Sequence, residues 1–528
     1  MIVTIILSVT STRIPVLIVG AGAAGLATSA LLAKHGVHSL LVEKRREVFI
    51  YPKARNLSFR SLEILRGLGL GDEVHAVADH VSGIMVKPAL NSAEKRLAID
   101  VNAIFTGLDH LSPEPAAQYC PQSRLEPILL ADTRRRGGEV RYGTELSSLE
   151  QDGAGVTAVV RDRDTGESDT VRADYLVGAD GVHSPIRNWL GINTSGYGAL
   201  PIFVVFIYFR APWTKFVSHL SDGDAVQTKN ADVDGIFLVV DGELGMFITT
   251  YFPGKGETAD QFTPRRCREL LVKAIGEPID IDVIEVAAWQ PHEQVADRFR
   301  CGRVFLVGDS AHTMPPFKAG GANTAIQSAH NLAWKLAAVL DGTAAPALLD
   351  TYHAERHPVG RFAARQSLTG PSLAVLPLSE GRPQLPAEEE CSMFELLIGY
   401  RYGSAAIVNG STEPDAVQLV SELRGQPGTR VPHVWVRDGM STLDLLGSGF
   451  TVLTGDERWC AAAASASVPA HRVCGDEWAA VTGLAPEGAL LVRPDDFVGW
   501  RADALPDDPN AALRQALTTI LGRPAPRA

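Results

Sequence analysis

Three glycines near the start of the chain have the spacing of a phosphate-binding turn. Gly20, Gly22 and Gly25 follow the apolar run Val16–Val19 in the order G-x-G-x-x-G, and residues 24–35 have the composition of a helix. The first glycine of such a turn allows a tight bend, the second lets a pyrophosphate approach the backbone, and the third lets helix and strand pack closely. The free N–H groups at the helix start would then point at the phosphate. The spacing therefore predicts a βαβ unit that binds a dinucleotide.

A carboxylate stands where such a unit needs one. Glu43 lies 18 residues after Gly25, at the end of a second predicted strand, Ser39–Val42, and Gly36 ends the helix between them. At that place a carboxylate can accept hydrogen bonds from both hydroxyls of a ribose. The glycine pattern alone is weak, but it becomes specific when it follows a strand, opens a helix and is followed by this acid.

Two further strand ends carry an aspartate beside a glycine. Asp180-Gly181 follows the buried strand predicted at residues 174–179, and Gly308-Asp309 follows a buried strand at residues 303–307. Asp180-Gly181 taken alone could be any turn. Asp309 suits a hydroxyl-rich chain, because a carboxylate only accepts hydrogen bonds.

Polar residues also stand beside predicted helices. Arg55 precedes one helix in a loop near the glycine turn, where a cation can meet a pyrophosphate. Gln122 opens a second helix, where it either donates to a cofactor or merely begins the helix. Asn323 precedes a long helix predicted over residues 324–340, and the positive end of that helix dipole favours a developing anion.

Length and charge restrict the class of protein. A chain of 528 residues exceeds what one core usually serves, so we expect two or three domains. The net charge of −12 argues against nucleic acid or an anionic membrane as a partner. No apolar run reaches the roughly 18 residues that a membrane span needs. The apolar segment Met1–Val9 lacks a basic start and a cleavage site, so we do not interpret it as a signal peptide.

The six cysteines are scattered, with no C-x-x-C pair and no histidine-rich neighbour. This usage indicates a reducing compartment and neither a disulfide framework nor a zinc site, and no metal is predicted. We therefore expect a cytoplasmic protein.

The pattern of predicted strands and helices changes twice along the chain. Strand patterns dominate Pro201–Trp289, interrupted by one predicted helix, Pro264–Ile275, which indicates a mostly antiparallel sheet with one apolar face suited to a bulky substrate. Alternating strand and helix patterns return at residues 302–340. A segment rich in proline, serine and glycine, Gly370–Glu389, is typical of a linker or loop. A third unit with the order β-α-β-β-α is expected after Gly410.

These motifs, in this order and spacing, resemble those of the class A flavoprotein aromatic hydroxylases. The run GRVFLVGDSAHTMPP followed by NTAIQSAHNLAWKLAAVL is similar to the subgroup that acts on aromatic polyketides and phenols, and GTRVPH, STLDLLGSGFTVL and LLVRPDDFVGWR resemble its thioredoxin-like C-terminal domain. The resemblance implies an α/β fold in three parts. These are a Rossmann-type FAD-binding domain (14–190 and 290–405), an antiparallel β-sheet substrate domain (80–115 and 195–289) and a C-terminal thioredoxin-like α/β domain (410–528).

The resemblance also implies roles for single residues toward FAD and the substrate. The residues expected to hold the FAD pyrophosphate are Gly20, Gly22, Ala24 and Gly25. Those expected at the adenosine are Glu43 on the ribose and Lys44 by the adenine. Those expected along the linker and the flavin are Arg55, Gln122, Asp309, Pro316, Gly321, Ala322 and Asn323, with Asp180 between FAD and the approach of NAD(P)H. Arg401, in a Tyr-Arg-Tyr stretch, is the candidate that holds the substrate phenolate, and it would act electrostatically because arginine stays protonated.

The chain departs from the family pattern at several places. Lys318 and Ala319 replace two glycines, which would bring a charge and a Cβ close to the flavin, and Ser328 replaces an aspartate. The C-terminal unit lacks the cysteine pair of a true thioredoxin, so a structural or dimer-forming role is expected. A monomer or a homodimer is equally compatible with the sequence.

The function implied is that of an FAD-dependent monooxygenase. It would hydroxylate an aromatic polyketide or phenol with NAD(P)H (NADPH or NADH) and O2 through a flavin C4a-hydroperoxide, which must be shielded from water. Two alternatives stay open at this point. One is Baeyer–Villiger insertion of oxygen beside a ketone, and the other is a non-catalytic flavoprotein that shields an unstable intermediate.

Overall fold

The structure, a computed structural model, describes residues 12–49, 54–80, 83–218, 224–369, 389–409 and 416–523. The described residues do not include the apolar segment Met1–Val9, the loop residues 51–53 or nearly all of the predicted linker Gly370–Glu389.

Strands and helices are distributed over the whole described part of the chain. The strands are β1 Thr12–Val19, β2 Ser39–Glu43, β3 Asn56–Ser58, β4 Gly83–Lys87, β5 Arg96–Asp100, β6 Ala117–Tyr119, β7 Glu139–Tyr142, β8 Thr144–Asp152, β9 Gly155–Asp162, β10 Ser168–Gly178, β11 Thr194–Ala199, β12 Phe203–Arg210, β13 Ala225–Lys229, β14 Asp234–Asp241, β15 Leu244–Tyr251, β16 Asp282–Trp289, β17 His292–Ala296, β18 Arg300–Cys301, β19 Val304–Leu306, β20 His312–Thr313, β21 Tyr400–Arg401, β22 Gln418–Leu419, β23 Trp435–Arg437, β24 Met440–Ser441, β25 Thr451–Thr454, β26 Ala470–Arg472, β27 Ala489–Val492 and β28 Val498–Ala502. The helices are α1 Ala23–Lys34, α2 Phe59–Gly67, α3 Gly71–Val77, α4 Val101–Ile104, α5 Gln122–Arg135, α6 Pro185–Trp189, α7 Pro264–Ile275, α8 Gly320–Leu340, α9 Asp350–Gln366, α10 Met393–Leu397, α11 Glu457–Ser465, α12 Asp476–Thr482 and α13 Pro509–Ile520.

The first sheet is the predicted dinucleotide-binding framework. Its strands run in the order β18-β19-β10-β1-β2-β7, and β1 pairs in parallel with both β10 and β2. Helices α1 and α8 pack against each other beside it. The residues Val16–Val19 are buried, as expected for a central strand of a parallel sheet covered on both faces. This arrangement confirms the predicted βαβ unit, with α1 within one residue of its expected bounds.

The second sheet is the predicted antiparallel wall. Its order is β16-β12-β15-β14-β13-β4-β5, so strands from residues 83–100 join those from residues 203–289. Side chains alternate along β12, as the period of a strand requires. Val205 and Ile207 pack in the core that includes Leu271 of α7, whereas Val204 and Tyr208 pack on the opposite face. Both faces of this sheet are therefore apolar, where one apolar face was expected.

The C-terminal unit is a smaller mixed sheet in the order β26-β25-β27-β28, with β25 and β26 parallel. The predicted order β-α-β-β-α omits β26 and α12, so the observed order is β-α-β-α-β-β-α. Strand β26 has three residues, Ala-His-Arg, which carry no alternating apolar pattern. The predicted α/β fold class is confirmed, and within the described residues no helix has both the length and the hydropathy that a membrane span requires.

Buried charges join this unit to the first sheet's helices. The guanidinium of Arg493 contacts both carboxylate oxygens of Glu355 on α9, at 2.7 and 2.8 Å, and also pairs with Asp495. Lys335 on α8 donates to the same Glu355 at 2.7 Å. Arg493, Lys335, Glu355 and Asp495 are all almost fully buried. The C-terminal unit is thus fixed by ion pairs from which water is excluded.

Candidate functional site

The glycine turn between β1 and α1 has no room for side chains. Gly20 has a φ of +106°, and a Cβ there would lie 2.2 Å from the Ala179 carbonyl oxygen. A Cβ on Gly25 would lie 1.8 Å from the carbonyl oxygen of Gly20. Around Gly22 there is more room, because the nearest atoms to a Cβ would be Gln122 Nε2 and Glu126 Oε1, both at 3.8 Å. Two glycines therefore build the turn, and the third leaves its outer face open.

Helix α1 begins at this turn without a side-chain cap for its first N–H groups. Its N-cap, Gly22, supplies no side-chain hydrogen bond, and the first turn contains no acidic residue. The first N–H groups of a helix have no partner within the helix and carry its positive dipole end. This end of α1 can therefore receive a phosphate, and Ala24 lies in its first turn.

Glu43 lies beside the turn as an ionised carboxylate. Its Oε2 accepts a hydrogen bond from Ala21 N at 2.7 Å, and its Oε1 accepts from the backbone N and the Nε of Arg45 at 2.9 and 3.1 Å. Burial by itself raises the pKa of Glu43, but the Ala21 N–H bond and Arg45 outweigh it and lower the pKa. The role of Arg45 was missed by the sequence analysis, which singled out Lys44. Lys44 is exposed, and its carbonyl accepts from Arg163 at 3.1 Å.

A second uncapped helix start lies against the first. Helix α8 begins at Gly320, four residues earlier than predicted, with neither a side-chain cap nor an acid in its first turn. Gly308 separates the two helices, because a Cβ there would lie 2.7 Å from Ala24 Cβ and 3.5 Å from Ala325 Cβ. The next residue, Asp309, has an exposed side chain. Gly308, with Asp309 next to it, therefore lies where the first turn of α1 approaches the second turn of α8. The predicted contacts Gly321 and Ala322 lie in the first turn of α8, and the exposed Pro316 lies four residues before this helix begins at Gly320.

The side chain of Asn323 joins α8 to the segment that carries Arg55. Its Oδ1 accepts from Ser58 N and Ser61 Oγ at 3.0 and 2.6 Å, and its Nδ2 donates to the carbonyls of Asn56 and Ala319 at 3.0 and 2.7 Å. The sequence analysis assigned no side-chain role to Asn323, because its partners Asn56, Ser58 and Ser61 lie more than 260 positions away.

Arg55 is a partly buried cation without a carboxylate partner in the described part of the chain. Burial lowers the pKa of its guanidinium, and the nearby hydroxyls of Tyr119 and Tyr208 oppose the shift. Tyr208 lies on β12 of the second sheet, so Arg55 stands between the glycine-turn framework and that sheet. Backbone bonds fix its segment, since Cys120 N donates to the Arg55 carbonyl and Gln122 N to the Ala54 carbonyl, both at 2.8 Å.

Gln122 and Asp180 use their side chains within the protein. The Gln122 amide donates to Glu126, and its oxygen accepts from Ala54 N at 3.5 Å. The Asp180 carboxylate accepts from Ser184 Oγ at 2.6 Å and from Ile186 N at 3.1 Å at the start of α6. Burial raises the pKa of Asp180. Both residues therefore shape loops around the turn.

Comparison with known proteins gives the family. The family described as FAD binding domain matches residues 13–367, and that described as Aromatic-ring hydroxylase, C-terminal, matches residues 424–524. The chain belongs to the FAD-dependent aromatic-ring hydroxylases. This confirms the predicted resemblance, and the hydroxylase is an FAD-binding monooxygenase.

Relatives align with the hydroxylase over nearly their whole length. It is 37% identical to Tetracenomycin A2 monooxygenase-dioxygenase of Streptomyces glaucescens, with 97% of each chain covered. It is 38% identical to 4-methyl-5-nitrocatechol 5-monooxygenase of a Burkholderia species, with 97% of this chain and 98% of the relative covered. A solved structure of aklavinone-11 hydroxylase in a ternary complex with FAD and aklavinone is 33% identical, with a TM-score of 0.85 over 97% of this chain and 99% of that one.

Two departures of the hydroxylase from its family pattern have local explanations. Lys318 directs its ammonium group to Thr369 and Glu390, at 3.0 and 2.8 Å. Ser328 lies between His312 and Arg356, with its Oγ 3.4 Å from His312 Nε2 and 3.1 Å from Arg356 Nε.

Arg401 stands between two tyrosines that face the opposite way. Arg356 donates to the hydroxyl of Tyr402 at 3.0 Å and lies 3.4 Å from that of Tyr400. Because side chains alternate along a strand, Arg401 points away from Arg356. Its Nε is buried and has no hydrogen-bond partner within the described residues.

Proposed function

We propose that the hydroxylase inserts one oxygen atom of O2 into an electron-rich phenolic ring of a polycyclic aromatic polyketide or a related phenol, with NADPH as the reductant. The relatives named above are, by their names, a monooxygenase-dioxygenase of tetracenomycin A2, a monooxygenase of 4-methyl-5-nitrocatechol and a hydroxylase of aklavinone, which supports the proposal. The observation that carries the proposal is the place of Gly308 and Asp309 between α1 and α8, two helices that begin without a side-chain cap. The first turn of α1 holds no acidic residue, so its N–H groups can receive a pyrophosphate.

The residues present fit FAD. The open face at Gly22 and the first turn of α1, with Ala24 and Gly25, would take the pyrophosphate. Glu43 would take the ribose through Oε2, which accepts one bond from Ala21 N and retains acceptor capacity, whereas Oε1 already accepts two bonds from Arg45. The groups assigned to the rest of the cofactor are Lys44, Arg55, Gln122, Asp180, Asp309, Pro316, Gly321, Ala322 and Asn323. When bound, FAD supplies the transfer of electrons from a nicotinamide to O2.

The protein would contribute positive charge to the site and would exclude water from it. Arg55 and the positive end of α8 would hold negative charge on the cofactor, and the buried face of β12 with Val204 and Tyr208 would exclude water from the reacting ring. Arg401 would hold the substrate as its phenolate, which makes the ring more electron-rich. It would do so without moving a proton, because its guanidinium stays charged.

The test begins with the visible spectrum of the purified protein and its NADPH consumption with phenolic polycycles. We expect a yellow protein, faster NADPH consumption with a phenolic substrate, and a product heavier by one oxygen atom on a ring carbon. An ester or lactone product would instead indicate oxygen insertion beside a ketone. NADPH consumption that no substrate stimulates would favour the shielding role, and a protein that takes up no FAD would contradict the proposal.

Arg401 is tested by coupling. In Arg401→Gln we expect NADPH consumption to continue while product per NADPH falls several-fold, because the substrate is no longer held as its anion. Arg458→Gln is the matched control, since Arg458 is exposed on α11 and pairs only with the neighbouring Asp456. Full product per NADPH in Arg401→Gln would show that this role is wrong.

We also infer a cytoplasmic enzyme that is a monomer or a homodimer. The free cysteines, including the buried Cys120 and Cys267, support a reducing compartment.

A further inference from the structure

The turn that precedes α8 is strained. Residues 316–318 form a single 3₁₀ turn, and Ala319 follows with φ 52° and ψ 27°. This left-handed conformation costs an alanine about 1 kcal/mol, because its Cβ crowds the backbone. The turn is held locally by Ala319 N, which donates to the Pro316 carbonyl at 3.1 Å, and by the Ala319 carbonyl, which accepts from Asn323.

Lys318 anchors this turn to another part of the protein. Its side chain is 4% exposed, and Nζ lies 3.0 Å from Thr369 Oγ1, just past α9, and 2.8 Å from Glu390 Oε1, ahead of α10. Gln366 links the same two segments, because its Oε1 accepts from Cys391 N at 3.0 Å and its Nε2 donates to the Glu389 carbonyl at 3.1 Å. Lys318 therefore ends in a polar cluster built from the end of α9 and the segment before α10.

Such an anchor restricts where α8 can begin. A buried ammonium group without partners is costly, so the turn cannot move away from Thr369 and Glu390 unless Lys318 is exposed or unpaired. Ala319 immediately precedes the first residue of α8. The position of the uncapped N–H groups of Gly321 and Ala322 consequently depends on a contact made by a side chain that points away from them.

We propose that Lys318 is a positioning residue: by docking on Thr369 and Glu390 it fixes the strained turn and so sets where the N-terminus of α8 meets the isoalloxazine ring. This inference rests on the FAD site of the proposed function. It predicts that the anchor influences FAD affinity and flavin reduction potential from a distance, and that Glu390 is as necessary as Lys318.

The experiment compares Lys318→Met, which keeps the length of the side chain and removes its charge, with Glu390→Gln, which keeps the amine. The measurements are the FAD dissociation constant, the two-electron potential of the bound flavin and the melting temperature of the apoprotein. We expect both variants to weaken FAD binding about tenfold, which corresponds to about 1.4 kcal/mol. Both should displace the potential in the same direction, and Lys318→Arg should stay close to the wild type because it preserves the ion pair.

Lys273→Met and Asp232→Asn are the matched controls, because they break an exposed lysine–carboxylate pair far from this turn and should leave all three quantities unchanged. Potentials displaced in opposite directions by Lys318→Met and Glu390→Gln would overturn the proposal, since a charge acting directly on the flavin has that signature. A lower melting temperature with unchanged affinity and potential would overturn it as well. If the wild type takes up no FAD, the proposed function fails too, whereas uptake by the wild type with unaltered variants would defeat this inference alone.

Discussion

The framework that carries the glycine turn meets its two neighbours through junctions of opposite character. Toward the C-terminal unit, buried cations face carboxylates: Arg493 and Lys335 share Glu355, and Arg60 pairs with Glu63 at 3.0 Å and with Asp496 at 2.9 Å. Toward the antiparallel sheet, the partly buried cation Arg55 lies near Tyr119 and Tyr208 and has no carboxylate partner in the described part of the chain.

The difference separates structure from function. A buried ion pair with its hydrogen bonds made has no need of a further partner, so the C-terminal junction is complete in itself. A buried cation without an anion is costly, and a site that keeps one is prepared for a ligand that brings the missing charge. The two junctions should therefore respond in different ways when a charged residue is neutralised.

The largest effect is expected at Glu355. Although burial by itself raises the pKa of Glu355, Arg493 and Lys335 hold it well below its usual value. Glu355→Gln leaves Lys335 without its carboxylate partner and Arg493 with Asp495 alone, which should cost about 3–5 kcal/mol of unfolding free energy. Chemical denaturation measures this loss. The exposed pair of Arg46 with Asp164 is the control, and Asp164→Asn should cost less than about 1 kcal/mol. Equal losses in the two variants would contradict the contrast.

Arg55 should show the opposite pattern. In Arg55→Met the apoprotein loses a partly buried cation that has no carboxylate partner among the described residues, so its stability should stay the same or rise. FAD affinity should instead fall about 10- to 100-fold, because a charge-assisted contact is lost. Titration of the apoprotein with FAD, alongside denaturation without FAD, measures both quantities. If Arg55→Met lowered the unfolding free energy of the apoprotein as much as Glu355→Gln does, Arg55 would have a structural role and the prediction would be wrong.

Acid should weaken the paired junction through His330. Burial lowers the pKa of His330 to about 3, and Asp496 only partly offsets the effect of burial and of Arg60. The folded state therefore binds a proton less readily than the unfolded state, whose histidine titrates near 6.5. The stability is complete above about pH 6.5 and falls as the pH drops toward 3, by about 2 kcal/mol at pH 5. His330→Gln, which cannot titrate, should lose less stability between pH 7 and 5. An identical pH profile would refute this assignment.

The smallest effect lies on the ligand side, at Ala319. Glycine adopts the left-handed conformation freely, so Ala319→Gly should raise stability by about 0.5–1 kcal/mol despite the greater entropy of the unfolded chain. Ala464→Gly, on the exposed face of α11, should lower stability by a similar amount. Changes of the same sign in both variants would show that Ala319 is not strained.

Local signals carried the predictions that succeeded. Helix α7 begins and ends at the predicted residues because the N-cap Thr263 accepts a hydrogen bond from Arg266 N and Gly276 takes a left-handed conformation after Ile275. The glycine turn was equally predictable from the sequence. The contacts that require Gly20 and Gly25 are made with backbone atoms of the same βαβ unit or of the residue that follows the adjoining strand.

Distant partners explain the rest. The early start of α8 depends on Lys318 and Asn323, which have partners in other elements. The local sequence pattern therefore does not predict that α8 begins at Gly320. Arg60 meets Asp496 across 436 positions of sequence, so the charges of the C-terminal junction look like ordinary surface residues when the chain is read in order. Arg45 was within reach of local reasoning, because it stands two residues after Glu43 at the end of a strand.

Glu355 on α9 pairs with Arg493 of the C-terminal unit, and this has a consequence for recombination between relatives. A chimera that exchanges the C-terminal unit between relatives would keep only one partner of each buried ion pair. It would fold only if the incoming segment supplied a basic residue opposite Glu355 and an acidic residue opposite Arg60. These positions should therefore be exchanged together.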